Sequence, residues 1–317
     1  MKWVSPRQLR EQGVLGMNSR NIDYIGRNND RNRYPLVDNK LKTKQIAEQQ
    51  GMSVPALFGV IKIQRQVQDL EQLLEGIEKF VIKPAQGSGG KGILVITERQ
   101  GNEFIKSTGA VLGYRDIKRH TSNILSGLYS LGGRPDVAMI EDMIEFDPIL
   151  SHYSHEGVPD IRVIVYRGFP VMAMMRCSTH ASDGKANLHQ GAVGVGIDIV
   201  TGHSLYAVQN NTQIERHPDT GYPFDALVLP HWDKVLQLAS GCYEMTELGY
   251  FGADVVLDRN KGPVILELNA RPGLAIQIAN QTGLRKRLEM VDEHCSGEYP
   301  VEQRVSLAKQ IFAERLV

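Results

Sequence analysis

Short apolar runs broken by glycine and proline dominate this chain, and most of them read as strands. Phe80-Val81-Ile82 and Ile93-Leu94-Val95-Ile96 flank a polar stretch rich in glycine. Residues 137–141 form another apolar run, ending in a charged cluster of Glu141, Asp142 and Glu145. The character changes after Asp147-Pro148, where a hinge is expected. Beyond it, residues 161–166, 169–176, 193–199 and 253–258 read as strands separated by glycine turns.

Helical spacing of apolar residues predicts helices over 70–78, 117–131, 232–248 and 301–317. Ser5-Pro6 caps a short helix that ends at Gly13, and Asp38 can cap another that runs to Gln50 and stops at Gly51. Between them, residues 16–35 are irregular, with five asparagines and the arginines Arg20, Arg27, Arg31 and Arg33. Guanidinium forks suit acidic substrates. A solvated loop wrapping the body is the competing reading, because asparagine favours turns.

Composition removes several classes. Lys plus Arg equals Asp plus Glu, 36 each, so net charge argues for neither nucleic acid nor a membrane surface as partner. The three cysteines lack C-x-x-C spacing and read as reduced, buried thiols rather than a disulfide framework or zinc site. No apolar leader or long apolar span is visible, so a soluble cytoplasmic protein is expected.

The glycine-rich stretch carries the first chemical signal. Lys83-Pro84-Ala85-Gln86-Gly87-Ser88-Gly89-Gly90-Lys91-Gly92 combines flexible backbone with two cations, the composition of a phosphate cradle. It is not a dinucleotide fingerprint, since residues 93–97 read as a strand instead of a helix. Neither is it a Walker loop, because Gly92 follows Lys91 where Ser or Thr is needed. Strand, Lys-Pro, glycine loop and strand make a mobile hairpin able to close over a triphosphate.

The second signal comes from register. Residues 253–258 and 263–269 are separated by Arg259-Asn260-Lys261-Gly262, a hairpin signal. If Asp258 faces Pro263, Asp254 lies opposite Glu267, and alternation puts Asn269 on the same face as Glu267. Facing carboxylates repel unless compensated, and Mg²⁺ bound by oxygen ligands and nucleotide phosphates would compensate them. A solvated sheet face, or a register one residue off, is the competing reading.

Taken in order, these residues resemble ATP-grasp enzymes, and within them the ribosomal-protein glutamate ligase family, over residues 38–275. The points of resemblance are Lys40-Leu41, Val81-Ile82-Lys83-Pro84 with its loop, Asp160-Ile161-Arg162, Asn187-Leu188-His189 and Glu267-Leu268-Asn269-Ala270 with Pro272-Gly273. The resemblance implies an α+β ATP-grasp fold, two α/β lobes with nucleotide between them. It divides the chain into a reduced N-terminal segment (1–37), an N-terminal lobe with the Gly-rich loop (38–145) and a C-terminal lobe with the metal site (146–317). Lys40, Lys83, Gly87, Ser88, Gly89, Gly90 and Lys91 are implied at the nucleotide, as are Glu141, Asp142, Met143 and Ile144 around adenine. Asp160 falls at the ribose side, and Lys185 and Asn187 near the triphosphate. Asp254, Glu267 and Asn269 are implied to hold Mg²⁺, with Mn²⁺ as a substitute. Two departures stand out: Lys185-Ala186-Asn187-Leu188-His189-Gln190-Gly191-Ala192 replaces Arg-Ser-Asn-Leu-His-Arg-Gly-Gly, and Arg271 replaces a serine.

Such an enzyme is an ADP-forming carboxylate–amine ligase that works through an acyl phosphate. Arg162, Arg176 and Arg271 are its candidate catalytic residues, with structural ion pairs as the alternative for each. Glutamate or a related amino acid, with a peptide or small amine, is the expected substrate pair, and a homo-oligomer stays open. An ATP-binding regulatory or scaffold protein, or an ATP-grasp phosphotransferase, is the rival reading. Cys177, His180 and Asp183 do not form a credible nucleophilic set.

Overall fold

The computed structural model describes residues 4–87 and 89–313. The chain divides into two compact units. One comprises Asn39–Gln45 and Val54–Glu145; the other combines the segment ending at Asp38, Ile46–Ser53 and the chain from Phe146 onward.

The smaller unit is built on a six-stranded antiparallel sheet of β1 (Leu57–Ile61), β2 (Phe80–Pro84), β3 (Leu94–Gln100), β4 (Glu103–Lys106), β5 (Val111–Gly113) and β6 (Ala138–Glu141). Their spatial order is β1-β6-β2-β3-β4-β5. Alternation explains how the sheet is used. Phe80, Ile82, Ala138 and Ile140 enter one core with Ile117 and Ile124 of the helix Tyr114–Leu125, and Phe104 packs edge-on against Phe80 and Tyr114. Met139, one residue out of phase, packs instead with Leu41 and Ala85. Side chains alternate along a strand, so Lys83 and Glu141 belong to Met139's face, away from the larger core.

The larger unit carries β7 (Asp160–Tyr166), β8 (Phe169–Cys177), β9 (Val193–Ile197), β10 (Ser204–Gln209), β11 (Thr212–Ile214), β12 (Tyr250–Asp258) and β13 (Gly262–Asn269). They form one antiparallel sheet ordered β11-β10-β9-β8-β7-β12-β13. The helices Trp232–Thr246, Leu284–His294 and Val301–Ala313 pack against it. The β7–β8 turn is Arg167-Gly168, both at positive φ, as a tight two-residue hairpin requires.

The segment before residue 38 is bonded onto this unit. Asn29 Nδ2 donates to Tyr250 O at 2.7 Å while its Oδ1 accepts from Tyr250 N at 2.8 Å. Gln277 Oε1 accepts from Leu15 N at 2.8 Å, and Arg20 Nη1 donates to Pro272 O at 2.8 Å. Arg20 is buried, so it braces the turn after β13 instead of presenting a fork to solvent.

Several element boundaries differ from expectation. The helix predicted over 117–131 spans Tyr114–Leu125, because the chain folds back at Gly127, where φ is +83° and a Cβ would lie 2.4 Å from Arg134 O. Residues 64–78 form a 3-10 turn and only the short helix Leu70–Leu73. Asn39, not Asp38, caps the helix Lys40–Gln49: its Oδ1 accepts from Leu41 N and Lys42 N at 3.1 and 3.2 Å. The last helix is followed to Ala313, and the rest of the 301–317 expectation lies outside the described residues. Among the described residues no helix is long and apolar enough to cross a membrane.

Candidate active site

In the smaller unit, Glu141 sits between two lysines. Lys44 Nζ lies 2.6 Å from Oε1 and Lys83 Nζ 2.5 Å from Oε2. All three residues are more than nine-tenths buried. Burying charge is costly unless it is paired, and here one carboxylate is shared by two lysine ammoniums. Lys44 also donates to Pro55 O. Sequence reasoning missed Lys44. The signal was helical period, since Lys44 stands one turn beyond Lys40 and so shares its face.

The glycine loop is anchored at both ends. Lys40 Nζ donates to Gly87 O at 2.9 Å, and His120 Nε2 meets Gly92 O at 3.0 Å. Asp136 accepts from Gln86 N and Ser130 Oγ. Between the anchors Gly89 and Gly90 have positive φ and open space around them, and Lys91 is exposed. Ser88, expected at the nucleotide, lies outside the described residues. Asp142 N donates to Ala56 O at 2.9 Å, and Met143 and Ile144 follow, half-buried.

In the larger unit, strand pairing gathers a charged network. Asp160 pairs with Arg176 across β7–β8, and Asp254 pairs with Arg162 across β7–β12. Arg162 Nε and Nη2 each donate to Asp254 at 2.7 Å. Arg176 Nη2 reaches Asp254 Oδ2 at 2.6 Å and Arg176 Nε reaches Asp160 Oδ1 at 2.5 Å. Burial pushes the Asp160 carboxyl up to about 6, against the pull of Arg176. Burial opposes ionisation of Asp254 too, but there Arg162 and Arg176 together outweigh it and hold the pKa below the ordinary value.

Glu267 faces Asp254, though by a different route from the simple hairpin. Asp258 pairs with Gly262 instead of Pro263, because Asp258 Oδ1 accepts from Asn260 N and Lys261 N and tightens the loop by one residue. An irregularity between Asp254 and Val255, opposite Leu266, restores that residue. Asn269 pairs with Gly252, and its Oδ1 accepts from Arg271 N at 2.8 Å.

The remaining expected residues have other partners. Lys185 is half-buried and pairs with Asp183 at 3.1 Å. Asn187 Oδ1 accepts from His189 N at 3.0 Å, capping a 3-10 turn. Arg271 is exposed, with its guanidinium 5.3 Å from the Tyr34 ring centre. Cys177 is fully buried, and burial pushes its thiol up, so it is no nucleophile.

Among the described residues no three His, Cys, Asp or Glu side chains are gathered so as to hold a metal ion. The donors are nevertheless of the right type for a hard cation: Glu267 offers a carboxylate, and Asn269 an amide oxygen that also accepts from Arg271 N. Asp254 is already compensated by two guanidiniums. One carboxylate and one amide oxygen suffice for Mg²⁺ when phosphate oxygens complete its shell, so the residues fit a nucleotide-borne ion.

Two antiparallel α+β units, one with a buried lysine pair beside a glycine loop and the other with this arginine–carboxylate network, define an ATP-grasp protein. The chain belongs to the sugar-transfer associated ATP-grasp family, whose model matches residues 19–293. It is similar to ribosomal protein bS6–L-glutamate ligase from Escherichia coli O7:K1, at 23% identity over 263 residues, covering 82% of this chain and 65% of that protein. The chain thus spans slightly under two thirds of that curated relative. Among solved structures it is similar to D-alanyl-alanine synthetase A from Vibrio cholerae (10% identity, 89% of this chain and 66% of that one, TM-score 0.48). It is also similar to the D-alanine–D-alanine ligase from Coxiella burnetii (14% identity, 90% and 60%, TM-score 0.44).

Proposed function

We propose that the protein is an ATP-dependent carboxylate–amine ligase, forming an amide through an acyl phosphate. The observation that carries this reading is the buried Lys44–Glu141–Lys83 group, two ammoniums gathered on one carboxylate beside the glycine loop. Lys44 and Lys83 bind nucleotide phosphates, and the segment from Glu141 to Ile144 holds the base. Lys40 positions the loop through Gly87. Asp160 serves the ribose side.

In the first step the γ-phosphoryl group passes to a substrate carboxylate, giving ADP and an acyl phosphate. An amine then attacks the acyl carbon, phosphate leaves, and the amine's proton is released. Arg176 and Arg162, paired with Asp160 and Asp254, would neutralise charge developing on the phosphoryl and carboxyl oxygens. Glu267 and Asn269 would hold Mg²⁺, or Mn²⁺ in its place, with Asp254 as the acidic anchor of both arginines. That ion would supply charge neutralisation between phosphate oxygens.

Glutamate or a related amino acid is the proposed acid or amine, as the glutamate-ligase relative suggests. Amino sugars join peptides and small amines as candidate acceptors, because the family is described as sugar-transfer associated. The deciding experiment incubates the protein with Mg-ATP and pools of acids and amines, reading ADP and product mass. A ligase releases ADP and phosphate only when acid and amine are both present. Phosphate retained on a hydroxyl product would make it a phosphotransferase, and nucleotide binding without turnover a regulatory protein.

A further inference from the structure

A cavity of about 560 Å³ lies in the larger unit, at the β7–β8 turn. Asp160 and Arg176 pair at the other end of that hairpin, roughly 20 Å away along β7. None of the ligase roles above uses it.

Its inner wall is Arg304, a charged side chain buried to 4% exposure. Arg304 Nε donates to Ser240 Oγ at 3.2 Å, and that hydroxyl donates to Gly168 O at 2.6 Å. The guanidinium lies 5.6 Å from the Tyr243 ring centre. Its Nη2 is 2.6 Å from Glu244 Oε1, within ion-pair range, yet it makes no hydrogen bond of sound geometry to any described residue. A guanidinium carries five N–H donors, and one hydroxyl and one ion-paired carboxylate leave others for a further acceptor. Gly168 also accommodates this charge: a Cβ there would stand 2.8 Å from Arg304 Nε. A buried charged side chain therefore lines the space.

The outer wall is Glu298 and Tyr299, the latter fixed edge-on to Phe169 at 5.9 Å. Arg167 stands at the mouth, paired to Asp292 at 3.2 Å. Arginines and glutamates line the cavity in equal number. A simple anion meets the glutamates and a simple cation meets the arginines, but a molecule carrying both charges satisfies each.

We propose that this cavity binds a small zwitterion of the α-amino acid or short-peptide class. Its carboxylate accepts from Arg304 Nη2, its ammonium faces Glu244 and Glu298, and its side chain lies against Tyr299 and Phe169. The volume falls in the range of small-molecule sites, roughly 300–1,000 Å³.

The test is calorimetry of the full chain with each of the standard amino acids and with glycylglycine. For any binder, the N-acetyl and the amide derivatives serve as singly charged controls. Saturable binding is expected for at least one probe, with both blocked forms weaker by about tenfold or more. Glu298→Gln and Tyr299→Ala, both on the loop before the last helix, should each weaken it several-fold, whereas Lys83→Ala should not. Arg304→Lys tests the carboxylate contact directly, and if it fails to fold the two loop variants carry the test. Absence of saturable binding up to about 10 mM for every probe overturns the proposal. So does binding that ignores the loop variants, or blocked forms that bind as well as the parent.

Discussion

At the scale of single residues, the chemistry rests on charges whose partners come from other strands. Glu141→Gln would leave Lys44 and Lys83 buried around a neutral amide. The expected loss of stability is about 3–5 kcal/mol, read from urea unfolding, since breaking a buried pair strands an uncompensated charge. A change under about 1 kcal/mol would show that water reaches the lysines. Glu267→Gln should lower ADP formation at saturating ATP by about a hundredfold or more while leaving the unfolding midpoint in place. Activity within a few-fold of the parent would remove Glu267 from the proposed ion site. Asp160 supplies a pH prediction. Its folded value of about 6 exceeds the ordinary 3.8, so between them the native state holds a proton that the unfolded chain has released. The stability from this group is full below the lower value and falls as pH rises through the window. Asp254, shifted down, contributes the opposite slope at lower pH, with stability lost on acidification. Carboxyl ¹³C titration should find Asp160 near 6 in the parent and higher in Arg176→Gln; an unmoved midpoint would refute the coupling.

At the scale of elements, the apolar pattern located the strands of both sheet centres, and what it missed lay toward their ends. β1, β4, β5, β10 and β11 are short and partly exposed, so their sequences carry little alternation. Hairpin β12–β13 shows how a correct pairing can hide two departures. Asp254 faces Glu267 because a tighter turn and an inserted residue cancel, and neither is visible in the pattern of apolar positions. The glycine loop makes its own prediction. Gly92 has φ +77°, and a Cβ would lie 2.5 Å from the Tyr129 ring. Gly92→Ala should therefore cost about 1–3 kcal/mol in the smaller unit's unfolding and speed amide exchange at the end of the loop. Gly89→Ala meets positive φ but open space, so it should cost less; equal costs would mean that contact with Tyr129 is immaterial.

At the scale of the whole molecule, the N-terminal segment is part of the larger unit's structure. Asn29→Ala removes both bonds to Tyr250 and leaves a buried N–H and C=O unpaired. Its expected cost is about 2–4 kcal/mol, with faster amide exchange from Gly16 through Asn29. Exchange unchanged there would mean that the segment is held elsewhere. This brace was open in the sequence, where the same asparagines and arginines read as a substrate surface or, more readily, as an irregular loop wrapping the body; the structure makes residues 17–28 helical instead, and polar composition does not reveal what such a segment bonds to. The family resemblance, the central strands and the Lys83-glycine stretch were determined by the sequence, since strands and turns follow local alternation and turn chemistry; the Asp254–Glu267 pairing was reached too, but only because a tighter turn and an inserted residue cancel. Lys44 beside Glu141, Arg162 and Arg176 on Asp254, Arg20 on Pro272 and the cavity around Arg304 were decided only by the tertiary structure. Each joins groups far apart along the chain, and which of many possible ion pairs forms depends on the sheet order and helix placement that bring those groups within reach.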